Sequence, residues 1–305
     1  MAVATSEPQV TANIRRSRFV MVDGVRTHYT ESGGDEPVIV ALHGGGQGSS
    51  GEAGLGRVLD LLAARYRVIG LDSIGGYGET DPVPLRYGLQ SRVDHAAAFV
   101  DALCLDRFTV LGNSQGAWCA ARYAMMCPDR VENVALVSSL TIGTAMGLKS
   151  PPSEGRKLLR AYDGTRPAMV RLMQGLTARP EVITDALIDL RQNAATRPGT
   201  MEAFATSEKS IAAIRDNPVL AAGFDMRTTL PALAKSIPTV FIWGENDTFA
   251  APSLGRELEA LLPDIRFHWV KNAGHQVQTD QPEIVAEILD TLISKKRPAP
   301  SPAQT

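Results

Sequence analysis

The sequence predicts an α/β protein: a mostly parallel, eight-stranded sheet flanked by helices, with a helical lid inserted after the sixth strand. Two observations support this fold class. In the first half of the chain, short apolar runs rich in β-branched residues alternate with helical patterns, which is typical of parallel strands buried on both faces. The alternation stops near residue 140 and resumes near residue 228. A helical segment that interrupts one sheet indicates a lid over the sheet edge where α/β proteins bind ligands.

The predicted strands begin with a hairpin, FVMVDG and VRTHYTESG, joined at the turn dipeptide Asp23–Gly24. Apolar runs then predict six buried strands, at 38–44, 66–73, 108–114, 131–139, 239–247 and 265–270. Helical spacing predicts helices outside the lid at 93–105, 115–126, 254–262 and 282–293.

The interval 140–227 contains no convincing strand and is predicted to form the lid. Its helical patterns cover 154–161, 166–176, 184–195 and 199–216, and prolines stand near their ends. We therefore expect a core built from 18–139 and 228–294. Residues 1–17 and 295–305 are predicted to be tails, the second one disordered, because neither has an apolar face to bury.

Composition argues against several classes of partner. The chain has 305 residues, with 31 basic and 33 acidic side chains and a net charge of -2, so neither nucleic acid nor an anionic membrane is expected to bind it. No apolar stretch approaches the roughly 20 residues of a membrane span, and no secretory signal is recognisable. The three cysteines form no CxxC pair and have no clustered histidines, which predicts that there is no metal site. An odd cysteine count without framework spacing favours a reducing compartment, so a cytoplasmic protein is expected.

The motif Gly112-Asn113-Ser114-Gln115-Gly116 is the clearest sign of chemistry. It fits G-x-S-x-G, and a predicted strand runs into it while a predicted helix runs out. Such a turn is sharp, so glycines flank the serine, and the serine hydroxyl is raised at a helix N-terminus. We interpret Ser114 as a nucleophile; the alternative is an ordinary helix-capping serine.

A serine nucleophile needs a base and a group that orients the base. Asp247 ends the strand TVFIWGEND, and His275 follows the last strand, which gives the order Ser, acid, His. Asp247 is predicted to hold the tautomer of His275. Glu245, two residues earlier, is the rival acid, but Gly244 suggests that the chain is already turning there.

The glycine-rich segment His43-Gly44-Gly45-Gly46 is predicted to supply half of an oxyanion hole. Its backbone can approach a substrate closely because glycine lacks a Cβ atom. Gly45 is the preferred donor, with Gly44 and Gly46 as alternatives, and the N–H of Gln115 is the second donor. His43 is expected to brace this loop. A phosphate-binding role for this loop is only weakly supported, because no lysine follows the glycines.

The three remaining histidines are predicted to be structural. His28 and His268 fall on strands, and His95 opens a helix, where it is expected to be exposed or locally paired.

These segments resemble the α/β-hydrolases that cleave carbon–carbon bonds in ring-fission products of aromatic catabolism, the meta-cleavage product hydrolases. The likeness is carried by LHGGGQGSSG, by LDSIGGYGETD, by GNSQG and, in the lid, by PEVITDALIDLRQNAATRPGTMEAF, and it covers about Arg18 to Leu292. It implies the α/β-hydrolase fold and a small-molecule substrate, a 2-hydroxy-6-oxo-dienoate, with no metal or organic cofactor. It also implies a homodimer or higher homo-oligomer.

The resemblance also assigns roles to residues outside the triad. Arg191, on the lid, would bind the carboxylate and 2-oxo end of the substrate, and Asn113 would help to position it. A solvated lid arginine and an asparagine that only braces the turn are the alternatives. Two positions depart from the family pattern: Gln276 stands where a tryptophan commonly follows the histidine, and Gly54 where an asparagine often occurs. Gln276 is expected to line the substrate site.

Other functions on this fold stay open at this point. A carboxylesterase or lactonase would use the same triad on a small hydrophobic substrate. A non-catalytic small-molecule receptor would need no triad, although an intact set argues against it. Epoxide hydrolases and dehalogenases of this fold are disfavoured because they need an aspartate at the position of Ser114.

Overall fold

A computed structural model describes residues 15–34 and 37–294. Its centre is an eight-stranded sheet with the order β1-β2-β4-β3-β5-β6-β7-β8. β2 is antiparallel to both β1 and β4, and every other pair is parallel. The strands are β1 (Arg16–Val22), β2 (Val25–Ser32), β3 (Val38–Leu42), β4 (Arg67–Leu71), β5 (Phe108–Asn113), β6 (Val131–Val137), β7 (Thr239–Gly244) and β8 (Arg266–Val270).

Thirteen α-helices occur in the described residues. Those outside the lid are α1 (Gly51–Leu62), α2 (Gln90–Ala102), α3 (Gln115–Met126), α10 (Thr229–Ser236), α11 (Pro252–Leu261), α12 (Val277–Asp280) and α13 (Pro282–Ser294). Those of the lid are α4 (Leu140–Ala145), α5 (Glu154–Arg160), α6 (Arg166–Leu176), α7 (Asp185–Thr196), α8 (Thr200–Ala212) and α9 (Pro218–Phe224).

The sheet is buried on both faces, as its continuous apolar strands predict. Successive residues of a strand point to opposite faces, so alternate residues of β3 enter different clusters. Val38, Val40 and Leu42 pack with α2 and α3, whereas Ile39 and Ala41 pack with α1 and α13. The predicted fold class, including the helical lid after the sixth strand, is therefore confirmed.

The lid has an apolar cluster of its own, which includes Met169, Leu172 and Met173 of α6 and Ile188 of α7. Phe249, from the loop after β7, packs against this cluster. The lid therefore rests on the loop that follows a core strand, directly above the carboxyl edge of the sheet.

Several details differ from the sequence expectations. β1 begins at Arg16, inside the segment 1–17 that was predicted to be a tail, because Arg16 and Ser17 pair with Glu31 and Thr30 of β2. Helix α1, whose first turn is capped by the Ser50 side chain, was not predicted. The short helices α4, α9, α10 and α12 were not predicted either. The predicted tail 295–305 and residues 1–14 lie outside the described residues.

Candidate active site

The turn between β5 and α3 has the strained geometry that G-x-S-x-G predicts. Ser114 has a φ of 58°, in the left-handed region that non-glycine residues rarely occupy. A Cβ added to Gly112 would stand 2.2 Å from the carbonyl oxygen of Gly116, and one added to Gly116 would stand 2.1 Å from that of Leu42. Both glycines are therefore required for α3 to leave the strand so closely.

Asp247 and His275, which are 28 residues apart, meet at the carboxyl edge of the sheet. His275 Nδ1 lies 2.9 Å from Asp247 Oδ2, and both side chains are buried. The other carboxylate oxygen accepts the backbone N–H groups of Phe249 and Ala250, each at 2.7 Å. Three hydrogen bonds thus fix the carboxylate, whereas the rival acid, Glu245, is exposed.

This geometry sets the tautomer of His275. With its proton on Nδ1 and donated to Asp247, the ring keeps Nε2 as an acceptor. Nε2 is buried and has no hydrogen-bond partner among the described residues. The ring stacks on Phe249, with centroids 4.6 Å apart, and it lines the same cavity as Ser114. Nε2 is therefore free to accept a proton in that cavity.

The glycine-rich loop after β3 lines the cavity at Gly44, Gly45 and Gly46. A Cβ added to Gly44 would lie 3.4 Å from Ser114 Cβ, and one added to Gly45 would lie 2.1 Å from the side-chain amide of Gln115. The loop thus packs directly against the nucleophile turn. The backbone N–H of Gln115 opens α3, where the first donors of a helix have no partner within the helix.

His43 lies beneath this loop, as expected for a brace. Its Nδ1 donates to the Gly44 carbonyl at 2.7 Å, and its Nε2 accepts the Ser73 N–H at 3.1 Å. Burial, reinforced by the nearby positive charge of Arg92, lowers the pKa of His43 to about 3. His43 therefore stays neutral, and with both ring nitrogens engaged it has no free site for base chemistry.

Arg92 is a residue that sequence reasoning missed. It is buried and donates to the His43 carbonyl at 2.7 Å, to Ser73 Oγ at 3.1 Å and to the Gln115 side chain at 3.2 Å. None of these partners is a carboxylate, so a positive charge stands behind both loops of the predicted oxyanion hole. The sequence does not show that an arginine in a helical segment is buried, so Arg92 could not be recognised in advance.

Two further predicted substrate contacts, Asn113 and Gln276, and Gly54, which departs from the family pattern, lie in different surroundings. Asn113 lines the cavity, but its amide donates to the His275 carbonyl at 3.1 Å and to the Val137 carbonyl at 3.3 Å, which favours the bracing alternative. Gln276 is buried and lines the cavity. Gly54 instead faces the His43 side chain, at 3.6 Å from an added Cβ.

Arg191 is fully buried, so the alternative of a solvated lid arginine is wrong. Its Nη2 donates to the Gln47 carbonyl at 3.1 Å and to Ser49 Oγ at 3.2 Å. Its Nε and Nη1 have no partner among the described residues, and burial lowers its pKa to about 10. Gln47 and Ser49 line the cavity, so the guanidinium stands directly behind the cavity wall.

The cavity measures about 380 Å³ and lies between Ser114 and the lid. Sequence reasoning missed most of its lid wall, which comprises Arg156, Leu159, Arg160, Leu176, Phe204 and Glu208. These residues belong to three helices, α5, α6 and α8, that are brought together only by the packing of the lid. The sequence shows which of these residues are charged, but it does not show that all of them face one cavity.

Asp280 is a further residue without a sequence signal. Its buried carboxylate accepts the N–H groups of Gly274 at 2.7 Å, Ala178 at 2.9 Å and Arg179 at 3.2 Å. Gly274 precedes His275, and Ala178 and Arg179 belong to the lid. One carboxylate therefore joins the histidine loop to the lid.

Comparison with known proteins agrees with this architecture. Residues 37–282 match the family described as the alpha/beta hydrolase fold, and the chain belongs to that family; it is a hydrolase. Within the family it is similar to enzymes that cleave ring-fission products.

A 2-hydroxy-6-oxononadienedioate/2-hydroxy-6-oxononatrienedioate hydrolase of Paraburkholderia xenovorans is 32% identical over 289 residues, covering 92% of this chain and 96% of that protein. A 2-hydroxy-6-oxo-6-(2'-aminophenyl)hexa-2,4-dienoic acid hydrolase of Metapseudomonas resinovorans is 28% identical and covers 92% and 91%. Among solved structures, the meta-cleavage product hydrolase of Pseudomonas fluorescens, in a complex with acetates, superposes with a TM-score of 0.74 at 25% identity, covering 91% and 97%.

Within residues 15–34 and 37–294, no helix is long and apolar enough to cross a membrane. The same residues contain no group of three or more His, Cys, Asp or Glu side chains that could hold a metal ion.

Proposed function

We propose that this hydrolase cleaves the carbon–carbon bond next to the 6-oxo group of a 2-hydroxy-6-oxo-2,4-dienoate. The observation that carries the proposal is the Asp247–His275 hydrogen bond, which leaves His275 Nε2 free in the cavity that Ser114 lines. The relatives described above act on dienoates of this class, which supports the same substrate class here. We further propose that the protein is cytoplasmic and acts as a homo-oligomer.

The proposed chemistry begins at the enol. His275 moves the proton of the 2-hydroxyl group to C5, which gives a 2,6-diketone with an electron sink at its carboxylate end. Ser114 attacks the C6 ketone, or activates a water that does so, while His275 accepts the proton. Asp247 holds the imidazole and stabilises its charged form.

The resulting oxyanion would be bound by the N–H groups of Gly45 and Gln115, and the charge of Arg92 behind both loops supports that role. Such a donor contributes about 3–4 kcal/mol to transition-state stability. The bond between C5 and C6 then breaks, with its electrons passing to the 2-oxo end. Addition of one water gives a carboxylic acid and 2-hydroxypenta-2,4-dienoate, so the reaction balances without a cofactor.

Arg191 is proposed to bind the carboxylate at the 2-oxo end through its unpartnered Nε and Nη1. A buried guanidinium with free donors and no acid partner is suited to a carboxylate. Gly46, which lines the cavity, lies beside this guanidinium, since an added Cβ there would stand 3.5 Å from Arg191 Nη2.

The assay that tests this function compares a dienoate with an aryl ester. We expect the purified protein to bleach 2-hydroxy-6-oxo-2,4-heptadienoate and to release acetate, with kcat/KM at least about tenfold above that for p-nitrophenyl acetate. Ester turnover without loss of the dienoate absorbance would overturn the proposal in favour of a carboxylesterase or lactonase. Absence of both activities would favour a small-molecule receptor.

Replacing Arg191 tests its assignment separately. Arg191→Ala should lower kcat/KM for the dienoate about tenfold or more, because a charged hydrogen bond is worth about 1.5–3 kcal/mol, and should affect the neutral ester far less. Arg171→Ala is the matched control, since Arg171 is exposed on the neighbouring helix α6. Equal losses on both substrates would contradict a carboxylate contact.

A further inference from the structure

One wall of the cavity carries two arginines that the proposed chemistry does not use. Arg156 and Arg160 both line the cavity and lie four residues apart on α5, which places them on one face of that helix. Leu159, between them, lines the cavity as well. The pair therefore faces the cavity that Ser114 also lines.

Neither arginine is neutralised by the protein. No carboxylate of the described residues forms an ion pair with Arg156 or Arg160. Arg156 Nη2 donates to the Pro151 carbonyl, whereas its Nε is buried without a hydrogen-bond partner. Lys157, on the same helix, pairs with Glu154 at 2.6 Å and does not line the cavity. Like charges that are held together without an acid destabilise a helix, so their shared orientation toward a cavity indicates an external anion.

The rest of this cavity wall suits a short carbon chain. Leu159, Leu176 and Phe249 provide apolar surface in the cavity that Ser114 and the arginines also line. Glu208, from α8, is the one acidic side chain among the described lining residues. Desolvation raises the pKa of Glu208, and Glu208 forms no ion pair with either arginine. Arg160 and the remaining donors of Arg156, whose Nη2 is engaged by the Pro151 carbonyl, therefore stay available for a ligand.

We propose that Arg156 and Arg160 form a second anion subsite, which binds a carboxylate at the far end of the substrate's acyl arm. This inference rests on the proposed function and narrows it to dicarboxylates. Arg191 would hold the first carboxylate, and the Arg156–Arg160 pair would hold the second. For 2-hydroxy-6-oxonona-2,4-dienedioate, addition of one water across the C5–C6 bond would release succinate and 2-hydroxypenta-2,4-dienoate.

The first part of the test compares two substrates that differ only in the acyl arm. We expect kcat/KM for 2-hydroxy-6-oxonona-2,4-dienedioate to exceed that for 2-hydroxy-6-oxo-2,4-heptadienoate, which ends in a methyl group. The double variant Arg156→Ala/Arg160→Ala should lower the ratio of kcat/KM for the dienedioate to kcat/KM for the heptadienoate about tenfold or more. The double variant Arg156→Lys/Arg160→Lys should lower this ratio less. Lys157→Ala, the matched control, should keep the ratio of the wild type.

The exposed position of Arg160 provides a variant with little risk to folding. Arg160→Ala alone should also lower this kcat/KM ratio, by a smaller factor than the double alanine variant does. A wild-type protein that prefers the heptadienoate, or a double variant that keeps the wild-type ratio, would overturn the subsite.

The second part of the test does not depend on dienoate turnover. Succinate and butyrate have the same chain length and differ in the second carboxylate, and calorimetry can compare their binding to the wild-type protein. We expect succinate to bind about tenfold more tightly and Arg156→Ala/Arg160→Ala to remove that preference. If neither dienoate is cleaved but succinate is still preferred, the proposed function fails and the subsite stands. Equal binding of the two acids overturns the subsite, whatever the enzyme cleaves.

Discussion

At the scale of single residues, the site depends on buried groups that are held by backbone hydrogen bonds. Asp247 is held by Phe249 and Ala250, and Asp280 by Gly274, Ala178 and Arg179. The motif and the order of residues predicted Asp247 and His275. Nothing in the sequence distinguished Asp280 from any acid before a helix, because two of its three partners, Ala178 and Arg179, lie in the lid, far from it in the sequence.

Asp280 is therefore expected to be a positioning residue for His275. Asp280→Asn leaves one acceptor oxygen where there were two, so at least one N–H group loses its partner. A small displacement of a catalytic group can cost up to about 100-fold in rate, so we expect kcat to fall between about 10- and 100-fold with little change in KM. The pH dependence of kcat should also shift, because the environment of His275 changes. A variant with a lower Tm but wild-type kcat would limit Asp280 to a structural role.

Two buried histidines predict how stability depends on pH. His95, expected to be exposed or locally paired, is instead buried and bonded to Thr27 at 2.9 Å. Burial lowers its pKa to about 4, and that of His43 to about 3, from 6.5. Below pH 6.5 the unfolded chain binds protons that the folded protein does not, so the free energy of unfolding should fall as the pH falls from about 6.5 to 4.

His95→Gln isolates one of these contributions. Over that pH range, the free energy of unfolding of the variant should fall less than that of the wild type. The difference should be up to about 1.4 kcal/mol per pH unit, as measured by urea denaturation at several pH values. Parallel curves for variant and wild type would contradict the neutral, buried state of His95.

At the scale of elements, the active site is set by the close crossing of α3 over β3. Gly116 allows this crossing, because an added Cβ would strike the Leu42 carbonyl. The motif predicted the strand–turn–helix unit correctly. It could not predict α1, since three glycines weaken the helical pattern of GEAGLGRVLDLL and tertiary packing of Leu55, Val58, Leu59 and Leu62 stabilises the helix instead.

Two glycine substitutions with opposite effects test the crossing. Gly116→Ala should lower the free energy of unfolding by more than about 2 kcal/mol and reduce activity, because either strand β3 or helix α3 must move. Gly223→Ala, in α9, should be neutral or stabilising by up to about 1 kcal/mol, since no atom lies within 4 Å of its added Cβ. If Gly116→Ala changes the free energy of unfolding no more than Gly223→Ala does, the crossing does not constrain the turn.

At the scale of the whole molecule, the lid is tied to the core beside the site. The Leu176 carbonyl accepts the Gln276 N–H at 2.9 Å, and Thr248 Oγ1 donates to the Gly175 carbonyl at 2.9 Å. The sequence predicted the sheet, the insertion and the residues on the sheet edge, because strand pattern and motif are local signals. It could not predict the lid wall, because the inward orientation of Arg156 and Glu208 depends on how the lid helices pack.

One measurement tests the central claim, serine-dependent cleavage of a carbon–carbon bond, most directly. Wild-type protein and Ser114→Ala would be incubated with 2-hydroxy-6-oxonona-2,4-dienedioate, and the products identified by mass spectrometry while the dienoate absorbance is followed. We predict succinate and 2-hydroxypenta-2,4-dienoate in equal amounts from the wild type, with kcat reduced about 10³-fold or more in a correctly folded Ser114→Ala. Equal rates from both proteins, or loss of absorbance without these two products, would contradict the claim.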